Sequence, residues 1–325
     1  MKKYLSISIA SMLGLNAPMK MKFKSSKRAA YLSFGGAVCA GAVLLIAFGA
    51  QAQNLFVTGW ASGSIYEFTP GGVKSTFASG VNNPAGLAFD SAGNLFAASR
   101  VAVGTSAIYK FTPGGVKSTF ASGLDFLQGM AFNSAGNLFV PGLSGGIYEF
   151  TPGGVQSTFA SGLASPIQLA FNSASYLFVS DTVANSIYEF TPGGVKSTFA
   201  SGLNVPNGLA FNSAGVLFVS DYGSGNIYDF TPGGVRSTFA SGLAHPYGIA
   251  FDSAGNLFVG DQGSGNIYEY TPGGVRSTFA SGLGTDIWDL AFQGEALPVP
   301  EPSALGLLAV GTIALFVRRR RNLAA

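Results

Sequence analysis

The chain has 325 residues, of which only 10% are charged while 46 are Gly and 28 are Phe, a mixture of aromatics and turn formers that suits many short strands and not helices. Its formal charge of +3 is misleading: seven of the 18 Lys and Arg precede residue 30 and four are Arg318, Arg319, Arg320 and Arg321, so the middle sets the remaining seven against 15 Asp and Glu. A body this acidic excludes nucleic acid as a partner, and with Cys39 as the only cysteine there is no disulfide framework and no cysteine metal site.

The first element is an address. A basic run, "KMKFKSSKR" over residues 20–28, precedes an apolar stretch, "AAYLSFGGAVCAGAVLLIAFG", which closes on Ala50-Gln51-Ala52. Basic, apolar, then small-x-small is the layout of a secretory signal peptide. Residues 1–52 are therefore expected to be a signal peptide, with cleavage before Gln53 and translation starting alternatively at Met19 or Met21. Cys39 lies inside the apolar segment, behind Val38, and reads as an ordinary residue of it.

From residue 53 the chain repeats itself. "TPGGV" begins at Thr69, Thr112, Thr151, Thr191, Thr231 and Thr271, at spacings of 43, 39, 40, 40 and 40. A period near 40 with several short strands predicts propeller blades. In one unit the strand-like runs are "NGLAF" (a), "VLFVSD" (b), "NIYDF" (c) and "VRSTFAS" (d), joined by Gly-containing links of hairpin type. The first unit starts at its b strand, "NLFVTG", and an extra a-like run, "IWDLAF" at Ile287, follows the last d strand. The fold class expected is all-β: a six-bladed propeller of 24 strands over residues 53–294, its C-terminal strand completing the N-terminal blade. Closure leaves only short protected edges, and stacking buries apolar faces that a lone blade would expose. Phe77, Phe120, Phe159, Phe199, Phe239 and Phe279 take one equivalent place in strand d. The words "PNGLAFNSAGVLFVSDYGSGNIYDF" and "PYGIAFDSAGNLFVGDQGSGNIYEY" resemble NHL-type and gluconolactonase-like six-bladed propellers. The NHL pattern usually carries Arg where Asn226 and Asn266 stand, so the resemblance implies the fold and not a function.

In a propeller, the d–a and b–c loops share one face and the a–b and c–d loops share the other. The second set barely changes between units, whereas the d–a loops read "VNNPAG", "LDFLQG", "LASPIQ", "LNVPNG", "LAHPYG" and "LGTDIW". Variable loops on a rigid scaffold are where binding residues are placed, although drift of duplicated units produces the same pattern. The ligand-binding candidates at the central mouth are Asn83, Gln128, Asn207, His245, Tyr247, Asp286 and Trp288, with a polysaccharide or a protein as the ligand.

Asp181, Asp221 and Asp261 end strand b in three successive blades. Clustered carboxylates suit a hard cation, but Gly59, Ser99 and Gly142 fill the equivalent places, and the preferred reading is a turn cap. The gluconolactonase-like resemblance implies a metal held by Glu, Asn and Asp around the channel, and related propeller lyases use His with a metal. Here Glu67, Glu149, Glu189 and Glu269 recur in strand c as part of the repeat, and His245 is the only histidine. No catalytic residue, cofactor or metal site is assigned. The expected role is a non-enzymatic binding or scaffold protein; the alternative is a lactonase-like hydrolase or lyase with a divalent cation at the channel mouth.

The last element, residues 295–325, is a second address. Pro300, Glu301 and Pro302 precede an apolar run over residues 304–317, which ends against the four arginines. Fourteen apolar residues are short of the ~20 of a usual span, and the arginines belong on the cytoplasmic side. Motif, hydrophobic helix and Arg cluster in this order resemble the PEP-CTERM sorting signal of Gram-negative bacteria. That resemblance implies an exported protein, anchored in the inner membrane at least transiently through its C-terminal helix. An exosortase-type enzyme then passes it to the cell surface or beyond, often alongside exopolysaccharide production.

Overall fold

The computed structural model describes residues 53–294. The expected signal peptide and the C-terminal helix lie outside the described residues. Six four-stranded antiparallel sheets form the blades, and the first joins the two ends of this region in the order β24-β1-β2-β3. Its strands are β1 (Leu55–Gly59), β2 (Ser64–Phe68), β3 (Lys74–Ala78) and β24 (Ile287–Phe292). Blade 2 holds β4 (Pro84–Phe89), β5 (Leu95–Ser99), β6 (Ser106–Phe111) and β7 (Lys117–Leu124). Blade 3 holds β8 (Ala131–Phe132), β9 (Leu138–Gly142), β10 (Gly146–Phe150) and β11 (Gln156–Ala160). Blade 4 holds β12 (Pro166–Phe171), β13 (Leu177–Asp181), β14 (Ser186–Phe190) and β15 (Lys196–Ala200). Blade 5 holds β16 (Pro206–Phe211), β17 (Leu217–Asp221), β18 (Asn226–Phe230) and β19 (Arg236–Ala240). Blade 6 holds β20 (Pro246–Phe251), β21 (Leu257–Asp261), β22 (Asn266–Tyr270) and β23 (Arg276–Ala280).

The closing pair is the one the permuted ends demand: Leu55 lies opposite Phe292, Phe56 opposite Ala291 and Val57 opposite Leu290. Burial falls from the axis outward. The second strand of every blade is buried throughout, the third is buried only in part, and the fourth exposes its first three residues, as in blade 5. Between blades the packing is aromatic and repetitive. Phe56 meets Phe77 of its own blade edge-on at 5.0 Å and Phe89 of the next blade at 5.1 Å. The same triad recurs around the ring, and its last member runs from Phe258 to Phe292 on the closing strand, at 4.9 Å. Edge-to-face pairs of this kind add about 0.5–1.5 kcal/mol each beyond the area they bury.

The repeated turns are held by their own side chains. In the c–d links the Thr hydroxyl accepts the amide four residues on, as from Val73 to Thr69 at 3.2 Å, and Gly72 supplies the left-handed φ of 78°. In the a–b links an Asp or Asn carboxyl or amide oxygen accepts two amides, as Asn212 does from Ala214 and Val216. These bonds need the same residues in every blade, which is a physical reason for that face to be uniform. Outer strands are free edges, and cations cover them: Lys74, Lys117, Lys196, Arg236 and Arg276 lie over the rings of Tyr66, Tyr109, Tyr188, Tyr228 and Tyr268. Charged side chains on an edge strand discourage pairing with another chain.

Candidate binding face and axial cavity

The inner strands of blades 2, 4, 5 and 6 share one irregularity, and it creates the site. Their pairing with the second strand slips just after the proline, for example between Pro206 and Leu209. Such a bulge re-aims side chains. It turns the two residues after the proline toward the axis and removes them from the ladder. Their freed backbone groups are taken up by hydroxyls: Ser180 accepts the Gln168 amide and donates to the Asn207 carbonyl, and Ser220 accepts the Gly208 amide and donates to the Tyr247 carbonyl. Thr58 does comparable work on the closing strand, accepting the Asp289 amide at 2.8 Å.

Two rings of side chains result. In the ring nearest the axis, four of six places are Gly86, Gly129, Gly208 and Gly248, because a Cβ there would run into the next inner strand; at Gly248 it would sit 2.7 Å from the Trp288 carbonyl oxygen. The two exceptions, Gln168 and Asp289, come from opposite blades and meet across the axis, Gln168 Nε2 donating to Asp289 Oδ1 at 2.9 Å. Asp289 also accepts the Leu87 amide at 2.8 Å and the Leu290 amide at 3.0 Å. Burial nonetheless dominates and pushes its carboxyl up to about 7, against the pull of these donors. Together the pair leaves a cavity of only about 10 Å³, lined also by Gln128, Tyr247 and Trp288. Gln128 Nε2 is buried there without a hydrogen-bond partner.

The second ring lies just above, on the variable face. In every blade the residue after the second strand donates its amide to the residue that precedes the inner strand, as Trp60 to Asp286, Arg100 to Asn83, Tyr222 to Val205 and Gln262 to His245. Loop b–c and loop d–a are thereby locked together, and their side chains lie side by side. Val205 accepts a left-handed φ of 58° to keep this bond, a costly setting for a β-branched residue. Asn83 and Phe126 take the same handedness at equivalent places.

The side chains so placed form an arc over five blades, aromatic apart from Arg100. Tyr222 stacks on His245 at 4.5 Å and meets Tyr247 edge-on at 6.2 Å. Tyr247 packs on Trp288 at 4.9 Å, and Trp288 stacks on Trp60 at 4.2 Å with 20° between the planes. The Arg100 guanidinium carries the arc onward, 5.2 Å from Trp60, 5.8 Å from Trp288 and 6.0 Å from Phe126. Burial pushes the Tyr247 hydroxyl well above its ordinary range, with Arg100 pulling the other way, so the phenol is a neutral donor.

The candidates read from the variable loops therefore part company. His245, Tyr247 and Trp288 lie in the arc. Asn83 is exposed beside it and contributes its carbonyl. Gln128 and Asn207 are buried, the first in the axial cavity and the second with its carbonyl on Ser180. Asp286 clamps the blade 1 turn, its carboxylate accepting the amides of Ala61 and Ser62. Each strand-end aspartate caps a loop of its own blade: Asp181 accepts from Ala164 and Ser165, Asp221 from Asn204, and Asp261 from Ala244 and His245. Among the described residues no three His, Cys, Asp or Glu side chains come together as a metal site. Glu67 and Glu149 accept from Asn54 and Asn137, each of which immediately precedes the neighbouring strand. Trp60, Arg100, Phe126, Tyr222, Gln168 and Asp289 were not among the expected residues. A signal was present for Gln168 and Asp289, which replace the glycine of the other four units when all six are aligned at the proline, whereas the places of Trp60, Arg100, Phe126 and Tyr222 differ in every unit.

Residues 298–321 match the PEP-CTERM protein-sorting motif, which marks an exported protein sorted by an exosortase-type enzyme. No characterised protein matches the chain as a sequence. Among solved structures, a chain of the nidogen/laminin complex superposes with a TM-score of 0.67 at 18% identity, over 74% of this chain and 98% of that one. A streptogramin B lyase gives 0.59 at 16%, over 71% and 80%, and virginiamycin B lyase from Staphylococcus aureus 0.58 at 14%, over 73% and 87%. At these identities the likeness is one of fold alone: a six-bladed propeller, carried here ahead of a PEP-CTERM motif.

Proposed function

We propose that the protein is a non-enzymatic binding propeller, displayed at the surface of a Gram-negative cell or released from it, whose aromatic arc binds a polysaccharide of the envelope or the exopolysaccharide. The observation that carries this reading is the unbroken run Tyr222, His245, Tyr247, Trp288, Trp60 on the variable face. The C–H faces of a pyranose pack well on such rings, and rigid aromatics lose little entropy on binding. Export puts that face among envelope glycans. Two further observations favour binding over a lactonase-like or lyase-like reaction. The strand-end carboxylates are spent on loop amides, and the carboxylate on the axis, Asp289, is held by Gln168 and two backbone amides. Both uses of the fold have precedent among its neighbours, one in a complex with another protein and others named as lyases.

A glycan array probed with the full-length protein in detergent tests the reading. Retention of one saccharide class is expected, with loss on Trp60→Ala and on Trp288→Ala. Equal retention by these variants would place the ligand elsewhere, and turnover of a captured saccharide would favour the enzyme.

A further inference from the structure

Of the seven Lys and Arg in residues 53–294, five cover the outer strands over tyrosine rings, and Lys110 pairs with Asp90 at 3.5 Å. Arg100 alone stands on the variable face. It is half-buried, its guanidinium donates no hydrogen bond to the described residues, and it is absent from the one ion pair among them. Burial lowers its pKa, the mark of a cation drawn partly out of water. Three aromatic rings surround it, yet the nearby carboxylates are engaged elsewhere. Asp125 accepts the Gly104 amide at 2.7 Å, Asp286 holds the blade 1 turn, and Asp289 lies on the axis. An arginine held by neighbours that cannot neutralise it, with its five donors unspent, is prepared for an anion from outside.

Resting on the saccharide reading above, we infer that Arg100 is the specificity-determining residue of the arc. It binds the carboxylate of a uronic-acid residue carried in a saccharide that stacks on Trp60 and Trp288. The planar fork matches a carboxylate in a bidentate pair, which an ammonium does not. The acidic body narrows the ligand further. With 13 Asp and Glu against seven Lys and Arg over residues 53–294, a densely charged polyanion is repelled, whereas one carboxylate in a sparsely charged chain meets a single matched cation.

The test is calorimetric titration of the full-length protein in detergent with a uronic-acid trisaccharide panel, the neutral cellotriose, and dextran sulfate. The uronate should bind more tightly than the neutral sugar by roughly ten- to a hundredfold, the worth of a charge-assisted hydrogen-bonded pair. Arg100→Gln should remove that advantage, weakening uronate binding far more than cellotriose binding, and Arg100→Lys should restore only part of it. Added salt should weaken uronate binding to the wild type and not to Arg100→Gln. A uronate affinity unmoved by Arg100→Gln, while Trp288→Ala abolishes it, overturns the role of Arg100 and keeps the saccharide reading. Tighter binding of dextran sulfate than of uronate also overturns the inference. Failure of every saccharide to bind removes the saccharide reading itself.

Discussion

Removing the closing strand is the most severe test of the ring. β24 buries Ile287, Leu290 and Phe292 at 1%, 4% and 3% exposure. At about 1.5–3 kcal/mol for each large side chain buried, these three contribute roughly 5–9 kcal/mol as an upper bound. That is comparable with the whole stability of an ordinary domain, about 5–15 kcal/mol. Their loss also strips the partner from β1 and opens an unpaired edge inside the ring. A chain ending at Gly284 is therefore expected to be unfolded or aggregated, while one ending at Gly294, which lacks only the sorting tail, should keep full stability. Phe292→Ala gives a graded version, since it deletes the last edge-to-face pair at 4.9 Å and should cost about 3–5 kcal/mol. Urea denaturation is the assay, followed by circular dichroism for the truncated chains, since the one ending at Gly284 lacks Trp288, and by tryptophan fluorescence for Phe292→Ala. The chain's two tryptophans, Trp60 and Trp288, are stacked in the closing blade, so their signal reports closure directly. Equal urea midpoints for the two truncated chains, or for Phe292→Ala and the wild type, would refute the account of closure.

Asp289 makes stability depend on pH. Its folded pKa of about 7 lies above the unfolded value of 3.8, so the folded state holds the extra proton between them and stability falls as pH rises through that window. The fall is at most roughly 4 kcal/mol, and Asp289→Asn should flatten it in urea midpoints measured from pH 4 to 7.5; an unchanged profile in the variant would assign the effect elsewhere. Gly248→Ala should cost about 1–3 kcal/mol, because the new methyl meets the Trp288 carbonyl oxygen at 2.7 Å and one inner strand must move; a neutral result in thermal unfolding would show that the axis is loosely packed. N-terminal sequencing of the exported protein should begin at or near Gln53, and a product that keeps residues 20–50 contradicts a cleaved signal. Replacing Arg318, Arg319, Arg320 and Arg321 by Gln should impair its membrane orientation, read as altered protease accessibility in spheroplasts.

Architecture was legible because it is written six times. The 40-residue period, the missing first strand and the surplus "IWDLAF" together dictate blade number and closure, and the pairing of Leu55 with Phe292 follows from them. Even so, blade 3 departs locally. "LDFLQGM", which like the closing "GTDIWDL" has no proline, leaves an inner strand of only Ala131–Phe132 plus a bridge from Leu127 to Gly142. The site was harder to read because it depends on what crosses between units. Nothing in the sequence around Gln168 or Asp289 shows that they meet from opposite blades, 121 residues apart. Arg100 and Trp60 sit in b–c loops, whereas the visible variation drew attention to the d–a loops. Only the amide bonds that lock the two loops together make them one surface. Asp286 and Asn207, polar residues in variable loops, turned out to serve the backbone.

The most direct measurement of binding at the arc is a fluorescence titration of the full-length protein, because both tryptophans of the chain lie in it. Addition of a saccharide selected on the array should shift or quench the emission saturably. It should do so with the affinity found by calorimetry, and with the amplitude reduced in Trp288→Phe. Saturable binding in the calorimeter that leaves the emission of Trp60 and Trp288 unaltered would mean that the ligand is held on another face of the propeller.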